Sequence, residues 1–247
     1  MSPPFYALVA GVGAGTGRAT ALRFAESYPV VLLARNESSF KDVVADVESK
    51  GGKAFGLVAD VADAASLKKA FRAVAEDLLP GSKLAAAVFN VNGGFARKPF
   101  LELGAEELDA ALDGTVRSFF TFAQETLPLL LSATDTSPHP PTLLITGATA
   151  SVRGSAYYGT FAAGKFALRA LGQSLAREFG PRGVHVAHVV VDGVIDIPRL
   201  EGLEVNGGVA DGKISPHAIA ETYWGLHVQH RSAFTHEIDI RPYAEKF

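Results

Sequence analysis

The sequence predicts an α/β fold in which a mostly parallel sheet of seven strands carries helices on both faces. Short, continuous apolar runs alternate with longer stretches whose apolar residues recur three and four positions apart. The first pattern is typical of strands buried on both faces, and the second of amphipathic helices. A glycine-rich turn at residues 11–18 follows the first apolar run. Together these observations predict a doubly wound, Rossmann-type sheet.

The order of the elements follows from this alternation. The predicted strands span residues 5–10, 30–34, 54–59, 84–89, 142–146, 184–191 and 235–240. The predicted helices span residues 16–27, 38–50, 64–78, 106–131, 158–179 and 216–229. Because a helix separates most consecutive strands, we expect the strands to pair in parallel.

Two segments lack a periodic apolar face. Residues 132–141 hold three prolines and are expected to form a surface connection. Residues 198–215 hold four glycines and follow the sixth strand, at the edge of the sheet where α/β proteins bind ligands. We interpret residues 198–215 as a substrate lid, with a disordered surface loop as the alternative. No internal repeat or boundary is visible, so residues 1–247 are expected to form one domain.

Composition narrows the possible functions. The 23 Lys and Arg against 26 Asp and Glu give a net charge of −3, which argues against nucleic-acid binding. The absence of cysteine excludes disulfides, thiolate zinc sites and a cysteine nucleophile. The seven histidines lack metal-ligand spacing, so no metal site is expected. No targeting segment or membrane span is visible, and we expect a cytoplasmic protein with no membrane partner.

The glycine-rich turn has the spacing Gly11-x-x-x-Gly15-x-Gly17. Glycines let the backbone turn tightly and approach a pyrophosphate, whose charge favours the amino end of a helix. No Lys-Ser or Lys-Thr follows the last glycine, which excludes a Walker A loop. Between a strand and a helix, this turn predicts a dinucleotide site.

The end of the second strand indicates which dinucleotide is bound. An NAD site usually has a carboxylate there for the ribose hydroxyls, whereas this strand ends in Ala34-Arg35-Asn36. A guanidinium suits a ribose 2′-phosphate in charge and geometry, and Arg18 adds to the positive field. NADP(H) is therefore favoured over NAD(H). The alternative is that Arg35 is simply a solvated residue at the strand end.

With these landmarks the chain resembles the short-chain dehydrogenase/reductase family along essentially its whole length. The glycine turn is similar to the family's cofactor loop, Asp60-Val61 to the pair beside the adenine, and Asn90-Val91-Asn92-Gly93 to its Asn-Asn-Ala-Gly element. Asp192-Gly193 replaces the usual Pro-Gly, and Ile197 replaces a threonine that often contacts the nicotinamide amide. The cofactor-binding residues that follow from the turn, the strand end and the resemblance are Gly11, Gly15, Thr16, Gly17, Arg35, Asp60, Val61, Asn90 and Lys165.

The resemblance breaks down at the catalytic group. The family usually carries Asn, Ser, Tyr and Lys, with the tyrosine four residues before the lysine. Here the lysine is Lys165, the tyrosine position is Phe161, the serine position Ala148 and the asparagine position Thr115. In the family the tyrosine protonates a developing alkoxide and the serine stabilises it, which phenylalanine and alanine cannot do. Lys165 retains the ability to bind the nicotinamide ribose.

Three hypotheses follow from this loss. The first is an NADP(H)-dependent reductase of a small carbonyl or imine, in which Tyr158 replaces the missing acid because it shares a helical face with Phe161. Further candidates for that role are Tyr157, Ser151, Thr149 and Asp192. An iminium substrate would need no proton on oxygen and would make the tyrosine dispensable. The second is a non-redox enzyme such as a cyclase or isomerase, and the third is an inactive NADP(H)-binding module.

The substrate pocket is expected between residues 95–100, 148–155, Tyr158 and the lid. It is mostly apolar, with Arg97 and Arg153 as possible anchors for an anionic group. Phe119, Phe120 and Phe122 are expected to be packing residues. In the family, the equivalents of the long helix 106–131 and of the Lys165 helix often pair between subunits, which implies a homodimer or homotetramer.

Overall fold

The computed structural model describes residues 4–246 and contains one all-parallel sheet of seven strands. Its order is β3-β2-β1-β4-β5-β6-β7. The strands are β1 Phe5–Ala10, β2 Val30–Ala34, β3 Ala54–Val58, β4 Lys83–Phe89, β5 Thr142–Thr146, β6 His185–Val191 and β7 Glu237–Ile240. The predicted fold class is confirmed, with every pairing parallel rather than most of them. The prediction of a single domain over residues 1–247 includes residues 1–3 and Phe247, which lie outside the described residues.

Helices follow the strands where the apolar periodicity predicts them. They are α1 Thr16–Ala25, α2 Lys41–Ser49, α3 Ala64–Ala73, α4 Ala105–Ala111, α5 Ser118–Leu131, α6 Gly159–Phe179 and α7 Pro216–His227. Where the ends differ from the predicted ones, they do so by one to three residues except at the end of α3, because terminal turns tighten or fray where backbone hydrogen bonds run out. A 3₁₀ turn, Glu37–Ser39, precedes α2, and a π-helical turn, Val74–Leu78, extends α3.

The predicted uninterrupted helix over residues 106–131 is wrong in one respect. A π-helical turn, Leu112–Arg117, separates α4 from α5. At this turn Gly114 approaches Gly93, which follows β4, so closely that a Cβ on Gly93 would lie 2.5 Å from the Gly114 Cα. The helix therefore passes against the end of β4 with no side chain between them, and π turns are often found at functional sites.

Hydrophobic layers cover both faces of the sheet. Alternate residues of β1 point to opposite faces, with Ala7 and Val9 on one and Leu8 and Ala10 on the other. The first layer contains buried residues of α1, α2 and α7, and the second contains those of α3, α5 and α6. Phe119 and Phe122 are buried in the second layer as predicted. The prediction was wrong for Phe120, which is 51% exposed because it lies on the outer side of α5.

The topology places a cleft at the carboxyl ends of β1 and β4, which are neighbours in the sheet but not in sequence. Such a point, where successive connections leave to opposite faces, is where open α/β sheets bind ligands. Residues 198–215 lie beside this edge and contain only two short 3₁₀ turns, Pro198–Leu200 and Asn206–Gly208. No helix among residues 4–246 is long and apolar enough to cross a membrane.

Candidate active site

Two adjoining cavities, of about 650 and 380 Å³, form one extended cleft at this edge of the sheet. We call the larger cavity the adenosine half and the smaller one the nicotinamide half, after the dinucleotide parts that each would hold. The adenosine half is lined by Gly11, Arg35, Asp60, Val61 and Asn90 among others. The nicotinamide half includes Gly11, Gly15, Thr16, Gly17, Asn90, Lys165, Ala148 and Phe161. The structure thus places all nine predicted cofactor residues along one cleft.

The glycine turn is held tightly against the end of β4. Gly11 has a φ of +85°, which favours glycine, and a Cβ there would collide with the Asn90 carbonyl. The Asn90 amide nitrogen donates to the Gly11 carbonyl oxygen at 2.9 Å. A Cβ on Gly17 would lie 2.6 Å from that same oxygen. These contacts bring backbone, rather than side chains, to the amino end of α1.

The hydroxyl of Thr16 tests whether this turn fits a phosphate. Thr16 is buried in the first turn of α1, and its Oγ1 has no hydrogen-bond partner within residues 4–246. Buried hydroxyls are normally satisfied, so an unpartnered one beside a cleft calls for a ligand or water. A pyrophosphate at the helix amino end would supply the acceptor and also favour the helix dipole. The residues present therefore fit a dinucleotide.

The two arginines expected near the ribose have different surroundings. Arg18 is engaged elsewhere, because its Nε donates to Asp46 Oδ2 on α2 at 2.9 Å and its Nη2 contacts the same oxygen. Arg35 is exposed at the end of β2, and its guanidinium has no polar partner within the described residues. Of these two arginines, only Arg35 has its charge available at the adenosine half.

Asp60 and Val61 follow β3 on the wall of the adenosine half. The Asp60 Oδ1 atom accepts a hydrogen bond from the Ala62 backbone nitrogen at 3.0 Å, which fixes the turn after the strand. Val61 is buried in the hydrophobic layer. Both residues shape the wall at which an adenine ring would lie.

Lys165 lies at the base of the nicotinamide half. It is 3% exposed, and its Nζ donates to the Thr146 carbonyl oxygen at 3.2 Å. Burial lowers the pKa of Lys165 to about 8, because removal from water disfavours the ammonium form. The Nζ lies 5.9 Å from the centre of the Phe161 ring, which places the lysine beside the residue at the tyrosine position.

The other three catalytic positions of the family offer no proton donor to this cavity. Ala148 and Phe161 line it but carry no ionisable hydrogen. The Thr115 hydroxyl donates to the Gly93 carbonyl at 3.4 Å, within the contact between the π turn and the end of β4. The wall beside Lys165 is therefore apolar where the family is polar.

An aromatic cluster continues that wall outward. Phe95, on the segment after β4, places its ring 5.2 Å from that of Phe161 and 5.9 Å from that of Tyr158. Tyr158 lies just before α6, is half-buried, and has the Arg97 guanidinium 5.8 Å from its ring. Lys165 and Phe161 line the nicotinamide half, whereas neither Tyr158 nor Phe95 lines either half of the cleft. The structure thus connects Tyr158 to the site through Phe95.

The remaining candidates for a proton donor make structural contacts. Ser151 is buried, and its Oγ accepts a hydrogen bond from the Ala148 backbone nitrogen at 3.1 Å. The Thr149 hydroxyl donates to Asp192, whose other oxygen pairs with Arg241 at 3.0 Å. Tyr157 is exposed on the connection before α6, and so is Arg153, which was predicted as an anchor for an anionic group. The link between Asp192 and Arg241 was not anticipated from the sequence, because nothing in the spacing joins the end of β6 to a residue after β7.

Arg199 is a second feature that sequence reasoning missed. It lies in the 3₁₀ turn Pro198–Leu200 and lines both halves of the cleft. The available signal was its place two residues after Ile197, at the start of the predicted lid. Among residues 4–246, no group of three or more His, Cys, Asp or Glu side chains is arranged to hold a metal ion.

Comparison with known proteins identifies the class that this fold and cleft define. The family model described as short chain dehydrogenase matches residues 6–202. The chain therefore belongs to the short-chain dehydrogenase/reductase family, as the resemblance predicted. It is similar to the short-chain reductase protein NovJ of Streptomyces niveus, at 29% identity over 86% of this chain and 78% of that protein. It is likewise similar to a 3beta-hydroxysteroid dehydrogenase of Mediterraneibacter gnavus, at 29% identity over 78% and 67%.

Solved structures agree with the family. A short-chain dehydrogenase from Rhodopseudomonas palustris superposes with a TM-score of 0.76 and 31% identity, covering 96% of this chain and 99% of that one. A metagenomic short-chain oxidoreductase solved in complex with NADP superposes with a TM-score of 0.80 at 21% identity, over 98% of each chain. At that identity the second likeness shows the fold alone. The protein is thus an α/β protein of the short-chain dehydrogenase/reductase family.

Proposed function

We propose that this protein is an NADP(H)-dependent reductase of a small organic imine or carbonyl, working with a non-standard catalytic group. The observation that carries the proposal is the nicotinamide half of the cleft. There Lys165 is kept and buried, while Phe161 and Ala148 remove the proton donor and the hydroxyl that would serve an alkoxide. The site is thus built to hold a dinucleotide beside an apolar substrate wall.

The residues that would hold the cofactor are distributed along the cleft. The amino end of α1 with Thr16 suits the pyrophosphate, and Lys165 suits the nicotinamide ribose. Arg35, free of polar partners, suits a ribose 2′-phosphate, which favours NADP(H) over NAD(H). Asp60 and Val61 would lie against the adenine. Relatives named as NADP-bound and as NADH-dependent both share this fold, so the preference for NADP(H) rests on Arg35.

The apolar wall favours an iminium substrate over a ketone. The bound cofactor supplies a hydride. An iminium carbon that accepts a hydride gives a neutral amine, and no proton has to be delivered in that step. Reduction of a ketone instead develops an alkoxide, which Phe161 and Ala148 cannot protonate or stabilise. For a carbonyl substrate the proposal assigns the proton to Tyr158, whose hydroxyl must then reach the substrate oxygen directly, because Phe95 and Phe161 carry no proton to relay.

The proposal includes a homodimer or homotetramer formed through α5 and α6. A groove of about 490 Å³ runs between these helices, and its lining is mostly apolar. It includes Phe120, Leu127, Leu131, Leu171, Leu175 and Phe179. Exposed apolar patches of this kind mark association surfaces. A second copy of the chain, placing the same helices against this groove about a twofold axis, would cover Phe120.

The deciding experiment follows the near-ultraviolet absorbance of NADPH in the presence of purified protein and a panel of cyclic imines, ketones and enones. We expect NADPH to be consumed with at least one imine, and NADPH to be preferred to NADH. Arg35→Asp should reverse that preference, with Arg72→Asp on α3 as the control for charge alone. Product formed with no change in the nucleotide would instead indicate a non-redox enzyme. Tight NADPH binding without turnover across the panel would indicate a binding module.

A further inference from the structure

The junction between the two halves of the cleft is lined by six residues that both halves share. They are Gly11, Gly13, Asn90, Val91, Asn92 and Arg199. Only Arg199 carries a charge. In a bound dinucleotide, the pyrophosphate joins the adenosine and nicotinamide parts, so it lies at such a junction. The one cationic side chain at this point is therefore on the lid rather than on the glycine turn.

Contacts on both sides of Arg199 hold its segment close to the glycine turn. The Ile197 side chain rests on Gly15, where a Cβ would lie 2.6 Å from Ile197 Cγ2. On the other side, Lys213 Nζ donates to the Leu200 carbonyl at 2.8 Å and lies 3.7 Å from Asp196. A bridge between Ile195 and Ile214 closes the base of the lid. These contacts thus fix the segment from which the Arg199 side chain reaches the junction.

Two other cations near the glycine turn are committed to other partners, and Arg35 lines only the adenosine half. Arg18 pairs with Asp46, and Lys165 is buried against Thr146. Within residues 4–246 the Arg199 guanidinium has no hydrogen-bond or ion-pair partner, and the side chain is exposed to the cleft. Ile197, at the position of a polar residue in the family, cannot donate a hydrogen bond to the cofactor. A doubly charged pyrophosphate would therefore meet helix backbone on one side and Arg199 on the other.

We infer that Arg199 is a cofactor-binding residue that pairs with the pyrophosphate and makes the lid part of the nucleotide site. This inference rests on the proposed dinucleotide function and deepens it. A guanidinium presents two parallel N–H donors to phosphate oxygens, which suits it to this task better than an ammonium. The lid would then be held down by the cofactor rather than by the substrate alone.

The test compares the affinities of three ligands for the cofactor-free protein by titration calorimetry. NADPH and 2′-phospho-ADP-ribose carry the pyrophosphate, whereas adenosine 2′-monophosphate carries only the 2′-phosphate. Arg199→Ala should weaken the first two by roughly 10- to 100-fold and leave the third within about twofold. Arg199→Lys should recover part of the loss. Arg231→Ala, which removes an exposed arginine far from the cleft, is the control and should change none of the three.

The outcomes separate this inference from the proposed function. If wild-type protein binds NADPH and Arg199→Ala binds it equally well, Arg199 has no role in cofactor binding. An equal loss for all three ligands would place Arg199 at the 2′-phosphate and overturn the assignment to the pyrophosphate. If the wild-type protein binds none of the three ligands, the dinucleotide function itself is wrong and the inference falls with it.

Discussion

Ile197 packs directly on Gly15, with its Cγ2 atom 2.6 Å from where a Cβ of residue 15 would be. The glycine turn and the first residues after β6 are therefore in van der Waals contact across the cleft. A glycine at position 15 allows this contact as well as the close approach of a phosphate to the backbone. The segment that leads from β6 into residues 198–215 thus contacts the glycine turn at this residue pair.

Gly15→Ala is expected to weaken NADPH binding by roughly 10-fold or more, since the added methyl group must displace Ile197 or the backbone. Titration calorimetry measures the loss. The double variant Gly15→Ala with Ile197→Ala should recover much of it, because the smaller side chain leaves room for the methyl group. Gly180→Ala, after α6 and outside both halves of the cleft, serves as the control, because a Cβ there meets no atom within 4 Å. Failure of the double variant to recover affinity would show that the methyl group acts on the cofactor alone.

Phe161→Tyr combined with Ala148→Ser is expected to create or raise ketone reduction by about 100-fold or more, since general acid catalysis contributes on the order of 10²–10⁴. The new phenol would lie beside Lys165, whose ammonium would stabilise the phenolate that remains once the phenol has given its proton to the alkoxide. Rates with a ketone and with an imine measure the effect. Imine reduction should change little. If Tyr158→Phe abolished ketone reduction in wild-type protein, Tyr158 would be confirmed as the substitute acid.

The affinity for NADPH is expected to fall as the pH rises through about 8, the pKa to which burial lowers Lys165. Cofactor binding uses the ammonium form of Lys165, so deprotonation above that pH removes a hydrogen-bond donor. The affinity can then fall by at most about tenfold per pH unit. Titrations between about pH 7 and 10 measure the trend. Lys165→Met should bind weakly with no such fall. A wild-type affinity that is constant over this range would contradict the assigned role of the ammonium.

The free energy of unfolding is expected to fall as the pH is lowered from 6.5 towards 4, by roughly 3 kcal/mol from His188 alone. Burial lowers the pKa of His188 from 6.5 to about 4, so the unfolded chain binds a proton in this range that the folded chain does not. Stability is therefore lost as protons are taken up. Urea denaturation at several pH values measures the slope. His188→Gln should reduce the slope of the unfolding free energy against pH by the amount that corresponds to about one bound proton. An unchanged slope would exclude His188 as the cause.

Phe120→Glu is expected to shift the oligomer towards monomer with little loss of fold stability, because Phe120 is half exposed on α5. A carboxylate placed in an apolar contact between copies remains unpaired and disfavours association. Light scattering coupled to gel filtration measures the mass, and thermal melting checks the fold. Phe166→Glu on α6, at a residue outside the groove, is the matched control. A wild-type protein that is monomeric at all concentrations would contradict the proposed assembly.

The fold and the cofactor cleft were predictable because local signals and topology agree. Continuous apolar runs predict buried strands, and the glycine turn predicts a tight approach of backbone. Arg35 marks a positive charge at a strand end. Each of these signals depends on one short stretch of the chain. Thr115 was predicted as the equivalent of the family asparagine, but the π turn around it was not predicted. Gly114 by itself does not predict a π turn, because glycine also occurs in regular helices. The π turn forms where Gly93, after β4, packs against Gly114.

Contacts between side chains that are far apart in the sequence were harder to predict. Asp192 pairs with Arg241 across two strand ends, and Arg18 pairs with Asp46 on the next helix. Such pairs depend on how side chains meet after the sheet has formed. Phe120 shows the same limit, because a three-residue aromatic cluster predicts burial but not which member lies on the outer side of α5. Arg199 was overlooked because lid residues carry no periodic signal.

The π turn at Leu112–Arg117 also sets how this protein tolerates changes in length. A regular α-helix closes its backbone hydrogen bonds over four residues and a π turn over five, so this turn takes up one residue more than a regular helix would. Removing one residue from the turn would convert it to regular helix, leave Phe119 and Phe122 in the hydrophobic layer and Phe120 at its groove, and alter chiefly the contact between Gly114 and Gly93. Removing one residue from the first turn of α5 would instead rotate the following side chains by about 100° about the axis and damage the core and the association surface together.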